Sequence, residues 1–316
     1  MPTRLVVVLL AALLLLAGCI RVQGTPMPGE AGPLRGRAVF GDLNTVDYCS
    51  LFQPAPLRAI NARTGPAESS FLTCTVDVAT ASGPVVLTIG YLDDAEHSQF
   101  AGNVNEVRAL PRELSVRSYD TYEPGWCFKY LLFSDGVNLE VAARGEGQAR
   151  ETLCLVAGAA VDGVRQNIVT GKVEWLTFRQ NSLGRTDACS LARADEVAAI
   201  VGAAAAPWQP LIGHWCQWGG AQADAPSVKI EYALHDVRTP GSPAYDDAIG
   251  GRQARVVPLA AGYCAVESPH IAFTENDPYA IEIISVYAYL PGVPDACPVA
   301  RRLAELIWPR LPPTPR

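Results

Sequence analysis

The sequence predicts an α+β protein of two tandem, related domains, each an antiparallel sheet with helices packed on one face and stapled by disulfides. Three observations carry that prediction. VDYCSLFQPAPLRAI at 46–60 is rewritten as TDACSLARADEVAAI at 186–200, which aligns Asp47 with Asp187, Cys49 with Cys189, Ser50 with Ser190 and Leu51 with Leu191. The cysteines fall into two sets of four, Cys49, Cys74, Cys127 and Cys154, then Cys189, Cys216, Cys264 and Cys297, in the same order and at closely matching intervals. The third cysteine of each set follows a Gly-aromatic pair, Gly125-Trp126 or Gly262-Tyr263, and the fourth opens a helix-like stretch. Shared order, spacing and context in a chain of 316 residues, long enough for two cores, mark a tandem duplication.

Taken in order, the chain opens with Arg4, an apolar run from Leu5 to Leu16, and then Ala17-Gly18-Cys19. The run falls short of the roughly 20 residues that a bilayer-spanning helix needs, so 1–18 reads as a signal peptide. Leu16-Ala17-Gly18-Cys19 resembles the lipobox of bacterial lipoproteins, which implies a diacylglycerol on the Cys19 sulfur and cleavage just before it. The following IRVQGTPMPGEAGPLRGR is rich in Gly and Pro and has no apolar period, so 19–40 reads as a lipidated tether. The repeat domains are placed at 41–172 and 181–311.

Each repeat begins with Asp-x-Cys-Ser-Leu, where Asp47 or Asp187 is placed to cap a following helix through its carboxylate. In the second copy ARADEVAAIVG sets Val197, Ile200 and Val201 at helical spacing, with Gly202 as a stop. In the first copy Pro54 and Pro56 limit the helix to a short piece near Pro56. VVLTIGYL at 85–92 and VKIEYAL at 228–234 carry the β-branched and aromatic residues of strands. CFKYLLF at 127–133 and VNLEVAA at 137–143 flank Ser134-Asp135-Gly136, a hairpin signal; CAVESPHIAF and AIEIISVYAYL are their counterparts, joined through Glu275-Asn276-Asp277-Pro278. LVAGAAVDGVRQNI and PVARRLAELIWPRL close the copies as helices, and this succession predicts antiparallel rather than parallel sheets.

The chain has nine cysteines, so setting Cys19 aside leaves an even number, as a disulfide framework in an oxidising compartment requires. The element geometry predicts Cys49–Cys74 and Cys189–Cys216 between first helix and first strand, and Cys127–Cys154 and Cys264–Cys297 between central hairpin and last helix. Each closes a loop worth about 3 to 4 kcal/mol by chain entropy. No C-x-x-C pair is present, and a metal site is not expected.

Composition and motifs bound the function. With 49% hydrophobic and 18% charged residues the chain is globular, and a net charge of -7 without a dense Lys/Arg block argues against a nucleic-acid partner. G-x-S-x-G, S-x-x-K, H-E-x-x-H, Walker and G-x-G-x-x-G signatures are absent, and none of His97, His214, His235 and His270 has a histidine four residues on. No catalytic residue and no cofactor is expected. Asp93-Asp94 and Asp246-Asp247 read as solvated loop acids, though a paired-acid mechanism is the alternative. The most distinctive stretch is GHWCQWGG at 213–220, whose His214, Trp215, Gln217 and Trp218 are the candidate ligand-binding residues, since rings beside polar edges suit a sugar, peptide or lipid headgroup. The competing reading packs one tryptophan over the disulfide and the other over the sheet.

Lipobox, tether and D-x-C-S-L phrase together resemble actinobacterial envelope lipoproteins with tandem disulfide-stapled domains of unknown function. Asp187-Ala188-Cys189-Ser190-Leu191, Glu196-Val197 and Cys216-Gln217-Trp218 carry the likeness best, and the first copy departs from it at Pro54 and Pro56. Similar domains occur as extracellular sensor modules of bacterial kinases. The resemblance implies a protein held to the extracytoplasmic face of the cell membrane through Cys19 that binds a ligand or partner; with the catalytic signatures absent, the reading is a noncatalytic protein that binds a small ligand or an envelope protein. An envelope hydrolase acting on glycan or peptide through carboxylates is one alternative; a structural or assembly lipoprotein using LPPTPR at 311–316 as a contact segment is another.

Overall fold

The computed structural model describes residues 32–95, 104–119, 125–202, 207–208, 210–220, 225–236, 244–245, 247–274 and 278–314. Cys19, His97, Asp246, the 275–277 turn and the last two residues of LPPTPR lie outside them.

The first repeat contributes β1 (Val46–Asp47), β2 (Arg63–Ser69), β3 (Thr73–Thr80), β4 (Gly83–Asp94), β5 (Val104–Ala109), β6 (Ser115–Tyr119), β7 (Trp126–Leu132) and β8 (Val137–Arg144). The connection and second repeat add β9 (Glu174–Trp175), β10 (Pro207–Trp208), β11 (Trp215–Gly219), β12 (Ser227–Asp236), β13 (Asp247–Ile249), β14 (Arg252–Ala260), β15 (Tyr263–Ala272) and β16 (Ala280–Tyr289). The α-helices are α1 (Gly36–Phe40), α2 (Ala55–Ala59), α3 (Arg150–Val169), α4 (Ala194–Val201) and α5 (Cys297–Ile307). Two seven-stranded antiparallel sheets result, ordered β2-β3-β4-β8-β7-β6-β5 and β10-β11-β12-β16-β15-β14-β13. Read strand for strand the two orders are the same, so the predicted α+β class of antiparallel sheets with helices is the observed one.

Period-two alternation explains which face each sheet buries. Cys74, Val76 and Val78 of β3, Val85, Leu87 and Ile89 of β4 and Leu139, Val141 and Ala143 of β8 are buried on one face, where β8 and β4 meet α3 and its Leu153, Val156, Ala157, Ala160, Val161 and Val164 at helical spacing. In the second sheet Ile230, Tyr232, Ile284, Val286 and Val266 are buried on one face, and its β15–β16 part lies under Ala300, Leu303, Ala304 and Ile307 of α5. One apolar core runs through both repeats, and residues Pro33–Arg316 form a single compact unit. No described helix is long and apolar enough to cross a membrane.

The repeated phrase is a local device. Asp47 and Asp187 accept the N–H of Cys49 (3.0 Å) and Cys189 (2.8 Å), while Ser50 and Ser190 Oγ each donate back to the aspartate carbonyl (2.6 Å). Both aspartates therefore cap 3-10 turns, Tyr48–Leu51 and Ala188–Leu191, instead of the α-helices expected to follow. The second-copy helix starts later, where Glu196 accepts the Arg193 N–H (2.9 Å), and ends at Gly202 in the left-handed region. These turns present the first cysteine of each repeat to its strand. Cys49–Cys74, Cys127–Cys154, Cys189–Cys216 and Cys264–Cys297 all form, with Cα atoms 4.9 to 5.2 Å apart.

The end of the expected tether is folded instead. Leu34 and Phe40 are buried, Asp135 of the β7–β8 turn accepts the N–H groups of Gly36 (2.7 Å) and Arg37 (3.0 Å), and Phe40 meets Phe133 edge-on at 5.3 Å. A free carboxylate at the turn and an apolar ring at position 40 give the chain reasons to dock that Gly/Pro content alone conceals.

A bulge interrupts the pairing of β4 with β8 after Gly90. A Cβ at Gly90 would lie 2.1 Å from the Leu72 carbonyl oxygen, so Gly90→Ala is expected to push β3 from β4 and cost about 2 kcal/mol in chemical denaturation.

Candidate functional site

The helix-free faces of the two sheets meet in a cleft of about 590 Å³, inside the range of roughly 300–1,000 Å³ common for small-molecule sites. Its first wall comes from the first repeat. Along β7 the pleat sends Cys127 and Leu131 to the core and Trp126, Phe128 and Tyr130 to the cleft. Their β8 partners on the same face are Arg144, Ala142 and Glu140. The side chains lock in pairs: Trp126 stacks on Phe128 (5.1 Å, 8° between planes), Arg144 sits 5.5 Å over the Trp126 ring, and Tyr130 donates its hydroxyl hydrogen to Glu140 (2.7 Å). Thr73 and Thr75 of β3, Thr88 of β4 and Asn138 of β8 add hydroxyls and an amide.

The second wall is the edge of the second sheet. Alternation along β11 turns Trp215 and Gln217 into the cleft, where Trp215 meets Trp208 of β10 edge-on at 4.7 Å. Lys229 and Glu231 of β12 share the same face and form an ion pair; Lys229 also caps the Tyr287 ring at 4.8 Å. Tyr91, which sits in the β4 bulge at φ 47, lies within electrostatic reach of Glu140 on its own sheet and of Glu231 and Tyr287 on the other. A non-glycine residue held at positive φ costs on the order of 1 kcal/mol and is found where geometry is over-determined.

The four residues singled out from GHWCQWGG do not share one surface. Trp218, one pleat beyond Gln217, is buried on the core side, with an indole N–H that lacks a partner among the described residues. His214 is also buried, packed edge-on to Phe71 and Phe178. Its ring nitrogens face the carbonyl oxygens of Phe71 (3.1 Å) and Gly184 (3.3 Å), one from each side of the repeat junction. Burial holds its pKa below the ordinary histidine value, against the pull of those two carbonyls and of Asp42 and Asp187. It borders a second, more polar hollow of about 480 Å³ lined by Asp42, Asn44 and Asp187.

Two further buried titratable groups hold the start of the second repeat against its own sheet. His270 Nδ1 faces the Arg252 guanidinium (3.0 Å) and Nε2 the Asn181 carbonyl (2.6 Å), an arrangement that fits a neutral ring protonated on Nε2. Glu282 is fully buried and accepts from Ser182 Oγ (2.6 Å) and the Leu183 N–H (2.8 Å); burial, partly offset by those bonds, raises its pKa to about 7. Of the adjacent acids, Asp93 lines the cleft, and half-exposed Asp247 pairs with Arg301 at 2.7 Å. Among the described residues no group of three or more His, Cys, Asp or Glu is placed to hold a metal ion.

The first-repeat wall was not among the sequence candidates. Its signal was an aromatic at every second position, Trp126, Phe128 and Tyr130, through a strand whose other residues are Cys127, Lys129, Leu131 and Leu132.

No protein-family model matches the chain, and no curated protein matches it. Among solved structures it is similar to the crystal structure of DynU16, a protein of the dynemicin biosynthetic locus, at 13% identity over 87% of this chain and 93% of that one, with a TM-score of 0.18. At that score the likeness says nothing of fold or function.

Proposed function

We propose that this is a noncatalytic protein of the cell envelope, anchored through lipid on Cys19, that binds a small ligand in the cleft between its two sheets. The observation that carries the reading is the cleft itself. Outer faces of sheets ordinarily meet water, yet here Trp126, Phe128 and Tyr130 face Trp208 and Trp215, with polar and charged groups interleaved. Four disulfides support an oxidising compartment. The acyl chains would hold the protein at the membrane, and the Gly/Pro-rich segment before Pro33 would give it reach.

Binding is favoured over hydrolysis because the cleft carboxylates are engaged, Glu140 by the Tyr130 hydroxyl, Glu231 by Lys229 and Asp93 by the Asp94 N–H. A glycosidase pair instead stands ready, one to protonate and one to attack or activate water.

The test is a thermal-shift screen of the purified protein, disulfides intact, against envelope glycans, peptides and lipid headgroups. A ligand present at 100 times its Kd adds about 2.7 kcal/mol of stability by linkage. The expected result is a concentration-dependent rise that Trp215→Ala reduces at least tenfold in apparent affinity. A shift untouched by Trp215→Ala would place binding elsewhere and refute the cleft.

A further inference from the structure

The chemistry of the cleft selects among ligands, and from it we infer that the occupant is a neutral oligosaccharide. The inference rests on the cleft being the binding site. Charge is the first argument. Lys229 is paired with Glu231, Glu140 takes the Tyr130 hydrogen and Asp93 the Asp94 N–H, so an ionic group meeting any of these would have to displace a partner already in place, while Arg144, held over the Trp126 ring, keeps N–H donors that a hydroxyl oxygen can use. A neutral ligand displaces nothing.

The second argument is the count of neutral hydrogen-bonding groups on both walls. Thr75 and Thr88 are directly paired across β3 and β4 and bring two hydroxyls to one spot, with Thr73 two residues along; Gln217 faces them from the other sheet. At the floor, Asn138 is 1% exposed and its Oδ1 has no hydrogen-bond partner among the described residues. An unpaired buried carbonyl oxygen costs about 1–3 kcal/mol, and a donor arriving with a ligand removes that cost. Lipid tails offer no such donor. Sugar hydroxyls offer many, each able to donate and accept.

The third argument is the aromatic pair at the mouth. Trp208 and Trp215 meet edge to face and are both only partly buried, which leaves ring surface for the C–H face of a pyranose while the ring hydroxyls reach the threonines. A peptide could use the rings, but its termini or side-chain charges would meet groups that are already paired.

Isothermal titration of the purified protein with mannohexaose, maltohexaose and arabinohexaose, and with hexagalacturonate and pentalysine as charged counterparts, decides the matter. At least one neutral hexasaccharide is expected to bind saturably, with a Kd that changes less than twofold between 50 and 500 mM salt. Thr88→Val, which keeps shape and removes only the hydroxyl, is expected to weaken it five- to tenfold, and Asn138→Ala by more. Because Asn138→Ala can also disturb packing, its melting temperature is measured beside its affinity, and Thr88→Val carries the decision if the fold suffers. Binding of a charged probe alone, lost in Trp215→Ala, would overturn the glycan class and keep the cleft. Binding by none of the five would overturn the glycan class, with the cleft then judged by the broader melting screen. Neutral binding indifferent to Trp215→Ala and Thr88→Val would overturn both.

Discussion

Removing the Cys264–Cys297 bond by Cys264→Ala together with Cys297→Ala is expected to lower stability by about 4 kcal/mol. The bond closes the largest of the four disulfide loops, with a sequence separation of 33, and chain entropy in the unfolded state scales with that length. The effect should be large for a structural reason too. α5 has 11 residues, too few to persist alone in water, and it covers the core through Ala300, Leu303, Ala304 and Ile307, with Cys297, Val299 and Leu306 partly buried beside them. Denaturant unfolding of the variant, compared with the parent, measures the loss. A change below about 1 kcal/mol would mean that packing alone holds α5, and that the staple is incidental.

The second large effect is one of pH, and Glu282→Gln exposes it. The folded-state pKa of Glu282 is raised to about 7, by burial first, against the bonds from Ser182 and Leu183 and the nearby Arg179 charge. The unfolded value is near 4.5, so between those limits the folded protein holds a proton that the unfolded chain has released. The stability that this group contributes is fully present below about pH 4.5 and is lost as pH rises through 7, for a total on the order of 3 kcal/mol. Glutamine cannot ionise, keeps a carbonyl oxygen for the Leu183 N–H and offers an N–H to Ser182 Oγ. The parent-minus-variant difference in unfolding free energy should therefore slope downward from pH 4.5 to 8. Parallel curves would show that Glu282 is ionised in the folded state at all these pH values. His214 and His270 bias the parent in the opposite sense, because their lowered pKa values cost stability as pH falls below about 6.5, and taking the difference removes their contribution.

Glu282, His270 and His214 also show where sequence reading ends. The D-x-C-S-L phrase was legible because its bonds are local: Asp47 to Cys49 and Ser50 back to Asp47 span three residues at most. The β7–β8 hairpin was legible for the same reason of short range, and the disulfides, 25 to 33 residues apart, because the duplication repeats their spacing. What an isolated Glu282 between Ile281 and Ile283 contacts is set 99 residues away, at Leu183, and no periodicity encodes that.

The cleft fell between these cases. Alternation says that Trp126, Phe128 and Tyr130 share a face, and equally that Trp215 and Gln217 do, but it does not say that the two faces meet. Contiguity misled in GHWCQWGG, where neighbours in sequence are sent by the pleat to opposite sides of one sheet: Trp215 to the cleft and Trp218 to the core. The aspartate caps were correctly placed and wrongly assigned to α-helices, since a carboxylate that accepts from two residues on serves a 3-10 turn as well as an α-helix.

The six tryptophans allow the central claim to be tested in one spectrum. The measurement is an ¹⁵N–¹H correlation spectrum of the indole N–H groups, assigned by single Trp→Phe variants, recorded while titrating the ligand that stabilises the protein in the melting screen. If the cleft is the site, the Trp126, Trp208 and Trp215 signals move together to saturation. Trp218 and Trp308, buried in the core, and Trp175, bonded through its indole N–H to the Phe40 carbonyl, stay in place. Saturable movement of Trp175, Trp218 or Trp308 with the cleft three unmoved would contradict the account.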